Sequence, residues 1–175
     1  LISQPMSLEE AEQCVENATT RYALNGNARL DSAQMQCLEE AIDLFIGRAP
    51  ENFTQAGMAF FLLANQSFLR EQPAQTDSLL QAGIDLAKKH PSSSADSLLA
   101  VFYNYANILY SEYYYDFERA MSANQLSIEY HQRIDEKRGL VAAYLNGASA
   151  YARFGYCDQA AGYLEKGRAL LPEVL

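Results

Sequence analysis

Three segments of the chain repeat one another at a step of 42 residues: FFLLANQSF from Phe60 to Phe68, FYNYANILY from Phe102 to Tyr110, and YLNGASAYA from Tyr144 to Ala152. Aromatic Phe60, Phe102 and Tyr144 coincide, as do small Ala64, Ala106 and Ala148 and polar Asn65, Asn107 and Ser149. Between them a second set, Ile42, Ile84 and Leu126, keeps the same step within EEAIDLF, QAGIDLA and NQLSIEY. Two such sets per period mean two helices per repeat. An isolated helical hairpin cannot bury its apolar face, whereas several stacked hairpins bury a continuous one. The alanines predict close helix contacts, with the aromatic one turn earlier filling the space beside each.

The punctuation agrees with that division. Ala49-Pro50, the run from His90 through Pro91 to Ser94, and Leu171-Pro172 each follow a second helix, where proline cannot continue the hydrogen-bond ladder. Asn25-Gly26-Asn27, Gln72-Pro73 and Gly155 mark turns inside repeats. Ser7 with Glu10, and Asp31 with Gln34, have the spacing of capping boxes. The pattern predicts helices near 7–24, 31–48, 52–70, 75–89, 95–113, 117–132, 137–153 and 157–170, with no strand. These make four helix–turn–helix repeats, about 7–50, 52–91, 95–135 and 137–172, in one all-α domain.

Several classes of function fit the composition poorly. The 13 basic and 22 acidic side chains leave a net charge of −9, the wrong sign for a surface that tracks phosphates, so no nucleic-acid partner is expected. The longest uncharged run, Asn52 to Leu69, has the length of a membrane span but contains Asn52, Thr54, Gln55, Asn65, Gln66 and Ser67, which predicts a helix buried in protein. His90 and His131 lie far apart without metal-ligand spacing, and no phosphate loop or nucleophile motif is present, so neither a cofactor nor catalysis is expected. Cys14, Cys37 and Cys157 read as buried small hydrophobes. For helices turning near Asn27, position 41 would face Cys14, an offset of about 6 Å from Cys37 that argues against a bridge. Reduced cysteines suit the cytoplasm, and three unpaired ones are also compatible with the periplasm.

The last repeat, AAYLNGASAYARFGYCDQAAGYLEKGRALLP, resembles a tetratricopeptide repeat through Tyr144, Ala148, Tyr151, Gly155, Ala160, Leu164, Gly167 and Pro172. The third keeps Phe102, Tyr105, Ala106, Leu109 and Ala120 but has about two extra residues in its turn, around Tyr113 to Asp116. The long period resembles the longer-linker class of these repeats, found in bacterial signalling proteins and transcription regulators. The resemblance implies a right-handed superhelical solenoid whose first helices line a concave groove, and it implies protein or peptide binding. Carried over position by position, it makes Phe61, Asn65, Phe68, Tyr103, Asn107, Tyr110, Ser149 and Arg153 the candidate groove residues. Asn65 and Asn107 match asparagines that commonly bond a bound peptide backbone. The two groove lysines that grip a terminal carboxylate are replaced by Phe61, Tyr103 and Leu145 and by Leu69, Ser111 and Arg153, so that mode is not expected. The alternative is a sensory domain that takes a small molecule into the aromatic groove and controls an output domain elsewhere. The start at Leu1 suggests a piece of a longer protein, and the stop after the fourth repeat suggests an open terminal face through which copies could associate.

Overall fold

A computed structural model of the chain describes residues 5–174. Leu1 and Leu175, on which the expectations about the ends rest, lie outside the described residues. The described residues form eight α-helices and no strand: α1 Leu8–Leu24, α2 Ser32–Ile46, α3 Phe53–Leu69, α4 Pro73–Lys89, α5 Ser93–Glu112, α6 Phe117–Arg133, α7 Lys137–Arg153 and α8 Cys157–Leu170, followed by a 3₁₀ turn, Leu171–Glu173. Both predicted capping boxes are present, Ser7 with Glu10 and Asp31 with Gln34. Pro73 occupies the first turn of α4, where its missing N–H leaves no bond unmade. No helix among the described residues is long and apolar enough to cross a membrane.

The helices gather into two compact halves that divide between His90 and Pro91, the predicted border of the second and third repeats. In the N-terminal half α1 packs on α2 and α3, α2 on α3, and α3 on α4. The uncharged run becomes α3, buried at every position from Ala56 to Ser67 except Met58 and Phe60, which are partly buried. Its core partners are Ala11, Val15 and Ala18 of α1 and Leu38, Ala41, Ile42 and Phe45 of α2. In the C-terminal half α5 packs on α6 and α7, α6 on α7, and α7 on α8. Ala64, Ala106 and Ala148 are all buried, as close helix contacts require.

Three expectations need correction. The register of the second helices slips in the third repeat: Leu126 is only partly buried, and Ile128 takes the place that continues Ile42 and Ile84. The cause lies in the turns. The residue that closes each hairpin turn with positive φ is Glu71, Tyr115 and Gly155, and the following helices begin at Pro73, Phe117 and Cys157. First helices therefore keep the step of 42, while the turn after α5 adds two residues that the turn after α7 does not.

The second correction concerns Cys14 and Cys37, whose sulfurs are bonded across α1 and α2 with their Cα atoms 6.2 Å apart. Residues 28–31 form no helix, and Asp31 is extended. They are held in place by α3: Leu30 N–H donates to Gln66 Oε1 at 2.7 Å, Gln66 Nε2 donates to the Ala28 carbonyl at 2.9 Å, and Arg70 Nη2 donates to the Leu30 carbonyl at 2.7 Å. An extended residue advances about 3.3 Å against about 1.5 Å in a helix, so a connector that is not helical shifts the axial register expected for two helices joined by a tight turn. Cys157 is free and exposed, which also departs from the expectation of a buried thiol.

Candidate binding surface

The eight candidate groove residues fall in both halves of the chain. Phe61, Asn65 and Phe68 lie on α3 in the N-terminal half, and the other five lie in the C-terminal half. Phe61 is buried edge-on against Tyr22 of α1, with ring centroids 5.2 Å apart; Asn65 is buried and Phe68 partly buried. On α5, Tyr103 stacks on Tyr130 of α6 at 5.9 Å, and Tyr110 is buried beneath the Arg119 guanidinium at 3.8 Å. Asn107 is fully buried and donates from Nδ2 to the Ala120 carbonyl at 2.9 Å. Thus the face of α5 carrying Tyr103, Asn107 and Tyr110 meets its own hairpin partner. Only Ser149 and Arg153, both on α7, are exposed.

Asn107 belongs to a set of three. Asn124 Nδ2 donates to the Ala143 carbonyl at 2.7 Å, and Ser127 Oγ donates to the Ala100 carbonyl at 2.8 Å. Each carbonyl belongs to an alanine on a neighbouring helix, whose short side chain leaves the oxygen within reach of a second donor. These polar side chains are fully buried and tie helices together.

The side-chain contacts between α5 and α7 involve different residues. Asn146 Nδ2 donates to Asn104 Oδ1 at 3.0 Å, and Arg153 Nη2 donates to Glu112 Oε1 at 3.4 Å. Asn104, Ile108, Glu112 and Asn146 are partly buried, so the seam is reachable from solvent, and beside it Leu145 is 47% exposed. Sequence reasoning passed over Asn104 and Asn146, although identical asparagines one repeat apart were the signal for them. A partly exposed amide pair can offer hydrogen bonds to a bound backbone, the exposed leucine an apolar contact, and the ion pair a rim. Of the turn tyrosines, Tyr114 packs on Tyr110 with centroids 6.0 Å apart, and Tyr115 is largely exposed.

A second feature lies among α6, α7 and α8. A half-open cavity of about 400 Å³ is lined by His131, Leu140, Tyr144, Lys166 and Leu170, among others. His131 is buried against Gly139, whose missing side chain makes room for the imidazole, and its Nδ1 stands 3.4 Å from Glu136 Oε2. That carboxylate caps α7 by accepting from the N–H groups of Arg138 and Gly139. Burial pushes the His131 imidazole below its ordinary pKa, and Glu136 pulls weakly the other way. Lys166 Nζ stands 5.2 Å from the ring centroid of Tyr163, whose hydroxyl is pushed up to about 12 by burial first and by Tyr151 next. Among the described residues no group of three or more His, Cys, Asp or Glu side chains is placed to hold a metal ion.

No protein-family model matches the chain, and no curated protein matches it.

Proposed function

We propose that the chain is a non-catalytic helical-repeat module that binds a protein or peptide segment, acting as the interaction or regulatory part of a larger bacterial signalling or transcription-regulating protein. The observation that carries this reading is the α5–α7 seam, where the Asn104–Asn146 amide pair and the Glu112–Arg153 ion pair run beside exposed Leu145 and Ser149. Adjacent first helices presenting amides and aliphatic side chains suit an extended partner held by backbone hydrogen bonds and apolar anchors. A neutral or basic partner fits a chain with a net charge of −9. Selection from a displayed library of random extended peptides tests the reading. Binders are expected to lose affinity about tenfold for Leu145→Glu, which alters an exposed anchor. A library that yields no binder, or binders indifferent to Leu145→Glu, refutes it.

A second reading, a sensory domain for a small molecule, draws its support from the cavity of about 400 Å³ beside His131, Tyr144 and Lys166. A small amphiphilic ligand held there would raise the melting temperature in proportion to RT ln(1 + [L]/Kd). Leu145→Glu would leave that response intact.

A further inference from the structure

Three side chains that carry charge at neutral pH, Asp135, Lys137 and Lys166, line the cavity among α6, α7 and α8. Lys137 is already neutralised, with its Nζ 2.9 Å from Asp135 Oδ1 and 3.9 Å from Glu173 Oε2. Lys166 is not. Among the described residues its Nζ meets no carboxylate, and it faces the rings of Tyr163 at 5.2 Å and Tyr144 at 5.9 Å. A cation over aromatic faces keeps its charge and still has hydrogen bonds to give. Leu140, Tyr144 and Leu170 supply an apolar lining beside it. The side of α8 that carries Lys166 and Leu170 is turned toward α7, its own hairpin partner, through the contact of Lys166 with Tyr144. Counted from the helix starts at Phe117 and Cys157, the same positions on α6 are Leu126 and Tyr130, and Tyr130 likewise lies against its partner α5 through Tyr103. A whole hairpin follows α6, yet Leu126 and Tyr130 remain only partly buried and Glu129 between them is exposed. A hairpin that followed α8 in the same way would therefore leave the mouth of this cavity open.

We propose that this cavity binds a small organic monoanion, a carboxylate carried on a short apolar body, with Lys166 taking the head and Leu140, Tyr144 and Leu170 the body. The proposal rests on the second reading, a sensory domain for a small molecule, and names the class of molecule sensed. A volume of about 400 Å³ lies at the small end of the range for ligand sites, which suits a short chain or a single ring. The net charge of −9 does not oppose an anion here, because charges more than about 8 Å away are largely screened at physiological salt, whereas a bound carboxylate meets Lys166 at contact distance. Asp135, the acidic side chain in the lining, is occupied by Lys137. The His131 imidazole, held below its ordinary pKa by burial, adds no charge near neutral pH. An ammonium ligand would meet the like charge of Lys166, so the site discriminates by sign.

Octanoate and octylammonium, one chain with heads of opposite charge, are the probes, each titrated calorimetrically into the full chain. Octanoate should bind saturably. Lys166→Gln should weaken it about tenfold, and Lys166→Glu should reverse the preference in favour of octylammonium. Ala169→Phe, which brings a ring into the cavity from an exposed position, should abolish octanoate binding. Lys166 and Ala169 are both exposed, so none of these substitutions should lower the melting temperature, and Leu145→Glu on the α5–α7 seam should leave octanoate binding intact. No octanoate saturation up to about 10 mM, binding that Lys166→Gln does not weaken, or equal binding of octylammonium overturns the proposal. The sensory reading survives those results where a molecule of another class raises the melting temperature of the wild type and not of Ala169→Phe, and falls where none does.

Discussion

Gly147→Ala and Gly162→Ala are the same chemical change in the same helical hairpin, and they should move stability in opposite directions. In either helix an alanine is favoured over glycine by about 1 kcal/mol of intrinsic propensity. Around Gly162 nothing lies within 4 Å of the added methyl, so that gain should be expressed. At Gly147 the methyl would stand 2.5 Å from Asn124 Oδ1 and 2.7 Å from the edge of the Tyr163 ring. Neither neighbour can step aside cheaply. Asn124 is fully buried and bonded to the Ala143 carbonyl, and Tyr163 is held edge-on by Tyr144 at 5.6 Å and Tyr151 at 5.0 Å. Overpacking costs about 1–3 kcal/mol, and displacing a buried hydrogen bond about 1–3 kcal/mol more. Against the propensity gain, Gly147→Ala should destabilise by about 1–5 kcal/mol, while Gly162→Ala stabilises by about 0.5–1 kcal/mol. Urea midpoints followed by far-UV circular dichroism measure both. Shifts of the same sign would refute the claim that α7 is pinned between α6 and α8.

Other consequences can be checked on the same material. Ala106→Leu and Ala148→Leu should each cost about 1–3 kcal/mol by overpacking the buried helix contacts, and an unchanged urea midpoint would contradict that. The His131 pKa is depressed in the folded state, so its contribution to stability is fully present above the ordinary imidazole value of 6.5 and is lost as pH falls through the folded value. Urea midpoints of wild type and His131→Leu should therefore diverge in pH dependence below that point, and parallel curves would count against a buried neutral imidazole. Iodoacetamide should modify Cys157 alone in the unfolded, unreduced chain and all three cysteines after reduction. Cys14→Ser should cost about 3 kcal/mol, the loop-closure value for a separation of 23 residues.

Legibility in the sequence followed the locality of the physics. Helix ends were readable because the caps are local: Ser7 and Asp31 announce their own boxes, and the observed bounds lie within two residues of the expected ones. The alanine ladder was readable because first helices keep a step of 42 without interruption. Ile128 was missed in favour of Leu126 because two residues enter at the turn before it, and a helix turns about 200° over two residues. Asn107 was assigned to a groove because an asparagine after a core alanine looks the same whether it faces a ligand or a neighbouring carbonyl; only the approach of α6 decides. The ring contacts of Phe61 with Tyr22 and of Tyr103 with Tyr130 were not legible for a similar reason, since rotation of a helix about its axis is set by packing and not by period. The Cys14–Cys37 bridge depends on a connector pinned by Gln66 and Arg70, contacts some 40 residues away in sequence. Asn104 and Asn146 were visible as a repeated residue but were passed over for the more conspicuous aromatics.

The central claim is that the α5–α7 seam of the C-terminal half holds an extended partner. Amide chemical shifts of the ¹⁵N-labelled chain, titrated with the tightest peptide from the displayed library, test it most directly. The account predicts saturable shifts centred on the side-chain amides of Asn104 and Asn146 and on the backbone of Leu145, Ser149 and Arg153, all abolished together by Leu145→Glu. Shifts centred instead on His131, Tyr144 and Lys166, or on Tyr113 to Tyr115, would contradict it and move the binding site to the cavity or to the turn.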